Sequence, residues 1–231
     1  MLGNVGVVVA ARMGSTRLPG KALLPLQGMP MVMFLLERLR RLKSGTLVLA
    51  TTQLAADDEL VAVVEQGGIQ VFRGSETDLI TRYTSASDHF GFDTVVRVTA
   101  DCPFVDAELV DWCIRRASEF DRFDLSTTKG RFPVGLDVEI CPAMRLAALL
   151  SRGDLTDAHR EHLTLYFYDH NDDFIVRSID LPPGWTTSPM HFTVDTAADY
   201  QLARELVARF DRPDFPARAL LTIEDVGSRP D

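Results

Sequence analysis

The chain has 231 residues, 46% of them hydrophobic, 25% charged and 8% aromatic, with a net charge of −9. That composition excludes a disordered, collagenous or disulfide-stapled chain, and the acidic balance argues against nucleic acid as a main partner. The length suits one large domain with a real core, and no apolar run approaches the ~20 residues of a membrane span.

In chain order, VGVVVA (5–10) is a β-branched run of the kind a strand buried on both faces requires. No basic segment precedes it, so it reads as a first strand and not as a signal peptide. A loop punctuated by Gly and Pro (11–30) follows, then a helix over 31–43, with Val32, Leu35, Leu36 and Leu39 on one face. TLVLAT (46–51) is a second buried strand. Asp57 and Asp58 open a helix that Gly67-Gly68 closes. IQVF (69–72) is a third strand, and Thr77 caps a helix reaching about residue 89. TVVRVT (94–99) is a fourth strand and 105–120 a helix with Asp106 as cap. This alternation predicts an α/β, Rossmann-like, mostly parallel sheet flanked by helices.

The rhythm changes after residue 121. GLDVEIC (135–141), FIVRSIDL (174–181) and MHFTVD (190–195) read as strands, with helices at 142–151, 157–170 and 196–210. The expectation is a core of 1–120 and 190–210 with an α+β elaboration at 121–190. The three cysteines, Cys102, Cys113 and Cys141, form no CxxC pair and point to a reducing cytoplasm.

Residues 1–45 hold seven basic side chains and one acidic, against the acidic remainder, which suggests a small anionic ligand at that end. Three segments follow predicted strands, where ligands sit in such sheets. AARMGSTRLPGKAL (10–23) combines Gly14 and Gly20 with Ser15, Arg12, Arg17 and Lys21, a set able to approach and clamp phosphate oxygens. It is not a P-loop: five residues separate the glycines, and Ala22 stands where the metal-binding hydroxyl would be. Asp101 in RVTADCPFVD (97–106) and Asp195 in FTVDTAADY (192–200) could share one Mg²⁺ near that loop. Such a constellation suits phosphoryl or nucleotidyl transfer.

These segments resemble the cytidylyltransferase family that includes CMP-KDO and CMP-sialic acid synthetases, nearest the branch named for spore-coat polysaccharide synthesis. ATTQLAADDEL (50–60), FRGSETDLITRY (72–83), GLDVEI (135–140) and AHREHLT (158–164) carry the likeness further, in family order. The resemblance implies a nucleotide-diphospho-sugar transferase type of fold. It implies Mg²⁺-dependent transfer of CMP from CTP to an acidic sugar in a cytoplasmic homodimer. In family terms Arg12, Ser15, Arg17 and Lys21 would hold the triphosphate and Ala10, Ala11 and Gly14 would lie against the nucleotide. Thr51 or Thr52 would sit near the base, and Ser75 and Asp78 near base or ribose. Asp101 and Asp195 would be metal ligands, and Arg12, Lys21 and Asp101 would serve the transfer. The elaboration would supply the acceptor pocket through Asp137, Glu139, Glu161 and His162. Ala100 departs from the Gly that often precedes the metal aspartate, and would strain the turn if φ there were positive.

Other readings are a different acceptor, such as a phosphate or phosphonate, a different NTP, or a nucleotide-binding module without catalysis. His159 and His162 have a spacing that can bind zinc, without an evident third ligand. Cys102 has no histidine placed to activate it and reads as packing. Phe132, Phe167 and Phe174 read as core or dimer contacts.

Overall fold

The structure is a computed structural model and describes residues 2–223. In chain order the elements are β1 (Val5–Ala10), β2 (Pro25–Leu26), β3 (Met29–Pro30), α1 (Met31–Leu39), β4 (Thr46–Thr52) and α2 (Asp58–Gln66). Then come β5 (Gln70–Gly74), α3 (Leu79–Phe90), β6 (Thr94–Thr99), α4 (Ala107–Ser118), β7 (Leu125–Thr127) and β8 (Glu139–Pro142). The last are α5 (Ala143–Leu149), α6 (Asp157–Glu161), α7 (Leu165–Asp169), β9 (Val176–Ser178) and α8 (Ala197–Val207).

Seven strands form one sheet in the order β5-β4-β1-β6-β8-β7-β9. β1 pairs in parallel with β4 on one side and β6 on the other, so its β-branched residues are covered on both faces. Val7 and Val9 face the core beneath α1 and α4, while Val8 faces a second core built with Ile80 and Tyr83 of α3 and Leu146 of α5. β8 alone runs against its neighbours, antiparallel to both β6 and β7. The chain therefore winds outward from β1 to β5, then crosses back to β6 on the other side. That reversal opens a crevice between the carboxyl ends of β1 and β6, where open α/β sheets bind ligands.

The expected α/β sheet is what the chain forms, and several boundaries differ. Within the span expected as an elaboration, β7, β8 and β9 continue the same sheet. β7 lies in a stretch that shows no alternation in the sequence. The expected strand at 190–195 is irregular. Phe192 and Val194 are buried as alternation predicts, yet only isolated bonds hold the segment, from Phe192 N–H to Val134 O (2.8 Å) and from Val194 N–H to Asp101 O (2.8 Å). The expected helix 157–170 breaks at His162, whose φ and ψ are −114° and 89°. The break lets Thr164 turn inward and donate to the buried Glu139 carboxylate at 2.9 Å. The cap of α3 is Asp78, accepting from Thr81 N–H at 2.8 Å, and not Thr77. Among the described residues no helix is long and apolar enough to cross a membrane.

Candidate active site

A cleft of about 310 Å³ opens at the crevice beside β1 and β6. Its wall takes in Ala10 at the end of β1 with Ala11, Arg12, Gly14, Ser15, Arg17 and Lys21 from the loop that follows, and Thr99 at the end of β6 with Ala100 and Asp101 from the next turn. Asp195 comes from the start of α8, and Glu161 and His162 from the end of α6.

Lys21 is the meeting point. It opens a short 3₁₀ turn after Gly20, whose φ of 70° is the left-handed conformation glycine adopts without strain. Its ammonium donates to Asp195 Oδ1 at 2.9 Å, to Asp101 Oδ2 at 3.2 Å and to the Val194 carbonyl at 2.8 Å. All three N–H groups are thereby satisfied between residues 80 and 174 positions away. Arg17 also reaches Asp195 Oδ1, at 3.1 Å. Arg12 faces Glu161 at 3.6 Å across the cleft. The side chains of Arg12 and Arg17 are 43% and 65% exposed, so their ion pairs are weak and open to exchange. A polyanion entering the cleft can take these cations from their carboxylates at little cost.

Burial would raise the pKa of Asp101, but the Lys21 ammonium and the Thr99 hydroxyl outweigh it and hold the carboxyl below its ordinary value. Asp101 is therefore a carboxylate at neutral pH. Ala100 meets no strain: among the described residues, Gln27 (φ 49°) is the one non-glycine with positive φ, in the two-residue turn between β2 and β3. Cys102 is buried, and burial together with Asp101 pushes its thiol well above its ordinary pKa, so it packs as a neutral group.

Two carboxylates already sharing one cation form a hard-oxygen pair. Mg²⁺ commonly takes one or two protein carboxylates and fills its octahedron with water and phosphate oxygens, so Asp101 and Asp195 fit it. Among the described residues, no three His, Cys, Asp or Glu side chains converge as a metal cage. His159 is buried, with Nδ1 accepting from Thr156 N–H at 3.1 Å and Nε2 against Asp169 at 3.0 Å, which leaves no nitrogen for a metal.

Several expected contacts lie outside the cleft wall. Thr51 and Thr52 are buried and both donate to Asp57, which also accepts from Met13 N–H at 2.8 Å. Together they brace the loop after β1 from behind. Burial opposes ionisation of Asp57, yet these donors together bring its pKa below the ordinary value. Ser75 and Asp78 build the start of α3: Ser75 Oγ accepts from Asp78 N–H at 3.1 Å, and Asp78 pairs with Arg160 of α6. Asp137 folds back onto Gly135 N–H at 3.1 Å. Glu139 is buried among Arg97, Thr164 and Tyr168. Phe132 and Phe167 are core residues, and Phe174 packs beside the second core.

The cleft has two arginines that motif reading passed over. Arg82, in the first turn of α3, donates to the Ser75 and Glu76 carbonyls at 2.7 and 2.9 Å, and burial lowers its pKa. Arg97 sits inside β6. The only signal was a cation in the middle of a β-branched run.

Several known proteins resemble this chain over most of its length. The sequence profile described as cytidylyltransferase matches residues 6–225. The spore coat polysaccharide biosynthesis protein SpsF of Bacillus subtilis is 32% identical over 228 residues, covering 96% of this chain and 94% of that protein. A 3-deoxy-manno-octulosonate cytidylyltransferase of Geobacter sulfurreducens is 30% identical over 131 residues, 55% of this chain and 51% of its own. Among solved structures, a cytidylyltransferase from Leptospira borgpetersenii superposes with TM-score 0.87 at 32% identity, covering 94% of this chain and 92% of its own. A CMP:2-keto-3-deoxy-manno-octonic acid synthetase complexed with CTP shares the fold, with TM-score 0.71 at 18% identity over 90% of this chain and 99% of its own.

Proposed function

The chain belongs to the cytidylyltransferase family, and from that premise we propose that it transfers CMP from CTP to an acidic sugar, releasing pyrophosphate, for surface polysaccharide synthesis. The observation that carries this reading is the convergence of Lys21, Arg17, Asp101 and Asp195 at one mouth of the sheet. Arg12, Arg17 and Lys21 would take the triphosphate oxygens, with Ala10, Ala11, Gly14 and Ser15 lining its path. Glu161 and His162 would face the acceptor. Asp101 and Asp195 would hold Mg²⁺, which when bound neutralises phosphate charge. Lys21 and Arg12 then hold the triphosphate in line, so that an acceptor oxygen bonds to the α-phosphorus as the α–β bridge bond breaks. Their charge stabilises what spreads over the transferring group. A cytoplasmic homodimer completes the proposal, and the buried, unpaired state of all three cysteines is consistent with a reducing compartment.

Pyrophosphate release measured with CTP, UTP, ATP and GTP against a panel of carboxylated sugars tests the reading. Turnover confined to CTP and a carboxylated sugar, and dependent on Mg²⁺, is expected. Equal use of all four nucleotides, or turnover only with a phosphorylated acceptor, would refute the substrate assignment. Size-exclusion chromatography with light scattering tests the dimer.

A further inference from the structure

The cations of the cleft differ in how far the protein satisfies them. Lys21 has three acceptors, and Arg82 has two carbonyls. Arg97 has one: its Nη1 donates to Glu139 Oε2. Its Nε is buried with no hydrogen-bond partner, and Nη2 has none among the described residues. These two nitrogens form one edge of the planar guanidinium, a two-pronged donor left idle in a side chain 26% exposed at the cleft wall. An unpaired buried donor is costly to the fold, so a group held this way fits an incoming acceptor.

Glu139 is occupied where Arg97 is not. It is 4% exposed and accepts from Arg97, from Thr164 at 2.9 and 3.0 Å and from Tyr168 at 2.6 Å. Such a carboxylate has no room for a sugar hydroxyl. It anchors one edge of Arg97 and leaves the other free.

Position separates this site from the triphosphate. Arg97 precedes Thr99 by two residues on the same face of β6, and both line the cleft. β6 stands between β1, which leads into the triphosphate loop, and β8, which begins with Glu139. Arg97 thus reaches the cleft from the strand that adjoins the elaboration, and not from the cationic loop after β1.

We propose that Arg97 binds a carboxylate of the acceptor through its Nε and Nη2 edge, with Glu139 as its positioning residue. A planar carboxylate matches that edge with two parallel bonds, and it brings only one further negative charge to a guanidinium already paired with Glu139. A dianionic phosphate would be repelled by Glu139 and Asp101 close by. The inference rests on the acidic-sugar reading and assigns it a residue.

The experiment is steady-state pyrophosphate release with CTP and carboxylated sugars, beside their methyl esters as substrates or competitive inhibitors. The full chain is compared with Arg97→Lys, Arg97→Gln and the charge-neutral pair Arg97→Gln/Glu139→Gln. The pair guards against unfolding, since Arg97→Gln alone strands a buried carboxylate. Arg97→Gln and the pair should raise KM for the acid about 10- to 100-fold, as loss of a charged hydrogen bond does. KM for CTP should stay within about twofold, the ester should be unaffected, and Arg97→Lys should fall between. Glu139→Gln should raise the acceptor KM more than it lowers kcat. A raised KM for CTP, an equal loss on acid and ester, or no change on the acid would overturn the assignment of Arg97. A wild-type chain that uses no carboxylated acceptor would instead overturn the acidic-sugar reading, and with it this inference, in the wild-type arm alone.

Discussion

Lys21 shows how a side chain acquires a role through its partners. An ammonium sheltered to 15% exposure and held by Asp101 and Asp195 is aimed at the cleft and not left to solvent. Asp101→Asn removes a charge at this junction while keeping the shape. It should lower kcat by about 10²–10³-fold or more with the melting temperature nearly unchanged, read by pyrophosphate release and calorimetry. Wild-type turnover in that variant would remove Asp101 from the transfer chemistry. Asp57 acts differently, since it holds the loop from beneath. Its folded pKa lies below the unfolded value, so its stabilisation is present above the unfolded pKa and is lost as pH falls through the folded one. Asp57→Asn should therefore destabilise the chain by about 1–3 kcal/mol at neutral pH, and the gap to wild type should close below about pH 4. Denaturant titrations at several pH values check the sign. Residues in the glycine-rich loop were legible because charge and glycine cluster there. Arg97 was not, and Glu139 read only as an acceptor-pocket candidate, because a salt bridge between strands 42 positions apart leaves no local pattern. Where the Thr51 and Thr52 hydroxyls go was not legible either, since it depends on how Asp57 is buried beneath them.

Helices announced themselves through spacing and caps, and strands less evenly. Asp106 and Thr196 cap α4 and α8 as their sequence positions suggest, accepting from Leu109 and Asp199 N–H. Asp78, and not Thr77, caps α3, and its side chain also meets Arg160, tying α3 to α6. Asp78→Ala should cost about 1 kcal/mol from the cap, and should weaken CTP binding only by loosening that tie. Thermal unfolding and calorimetric CTP titration separate the two. The segment 190–195 carries a strand's alternation without a strand's ladder, since it lies over Gly135 and not beside a free edge. A Cβ on Gly135 would come within 2.4 Å of the Phe192 carbonyl carbon, and its φ is +91°. Gly135→Ala should cost about 1–3 kcal/mol and displace Asp195, lowering kcat more than the loss of folded protein explains. Circular dichroism beside pyrophosphate release tests this, and a variant of wild-type stability and rate would show that the two segments are not coupled.

Across the molecule, an acidic chain presents a basic loop at the mouth of its sheet, and the order of strands decides which residues join it there. A nucleotide that binds the folded state alone stabilises it by about 2.7 kcal/mol at a hundredfold excess over Kd. For a chain of this size CTP with Mg²⁺ should then raise the melting temperature by about 5–10 °C. The shift should shrink as salt screens the exposed Arg12 and Arg17 pairs.

Local periodicity, turn chemistry and the clustered cations sufficed for the α/β class and for singling out the cationic loop and the candidate aspartates, because each is written within a few consecutive residues. Tertiary structure alone assigned β7 and β8 to the main sheet, seated Lys21 between two distant carboxylates, buried Glu139 and left one edge of Arg97 unpaired. Those outcomes depend on strand order and long-range closure, which bring residues together irrespective of their separation along the chain.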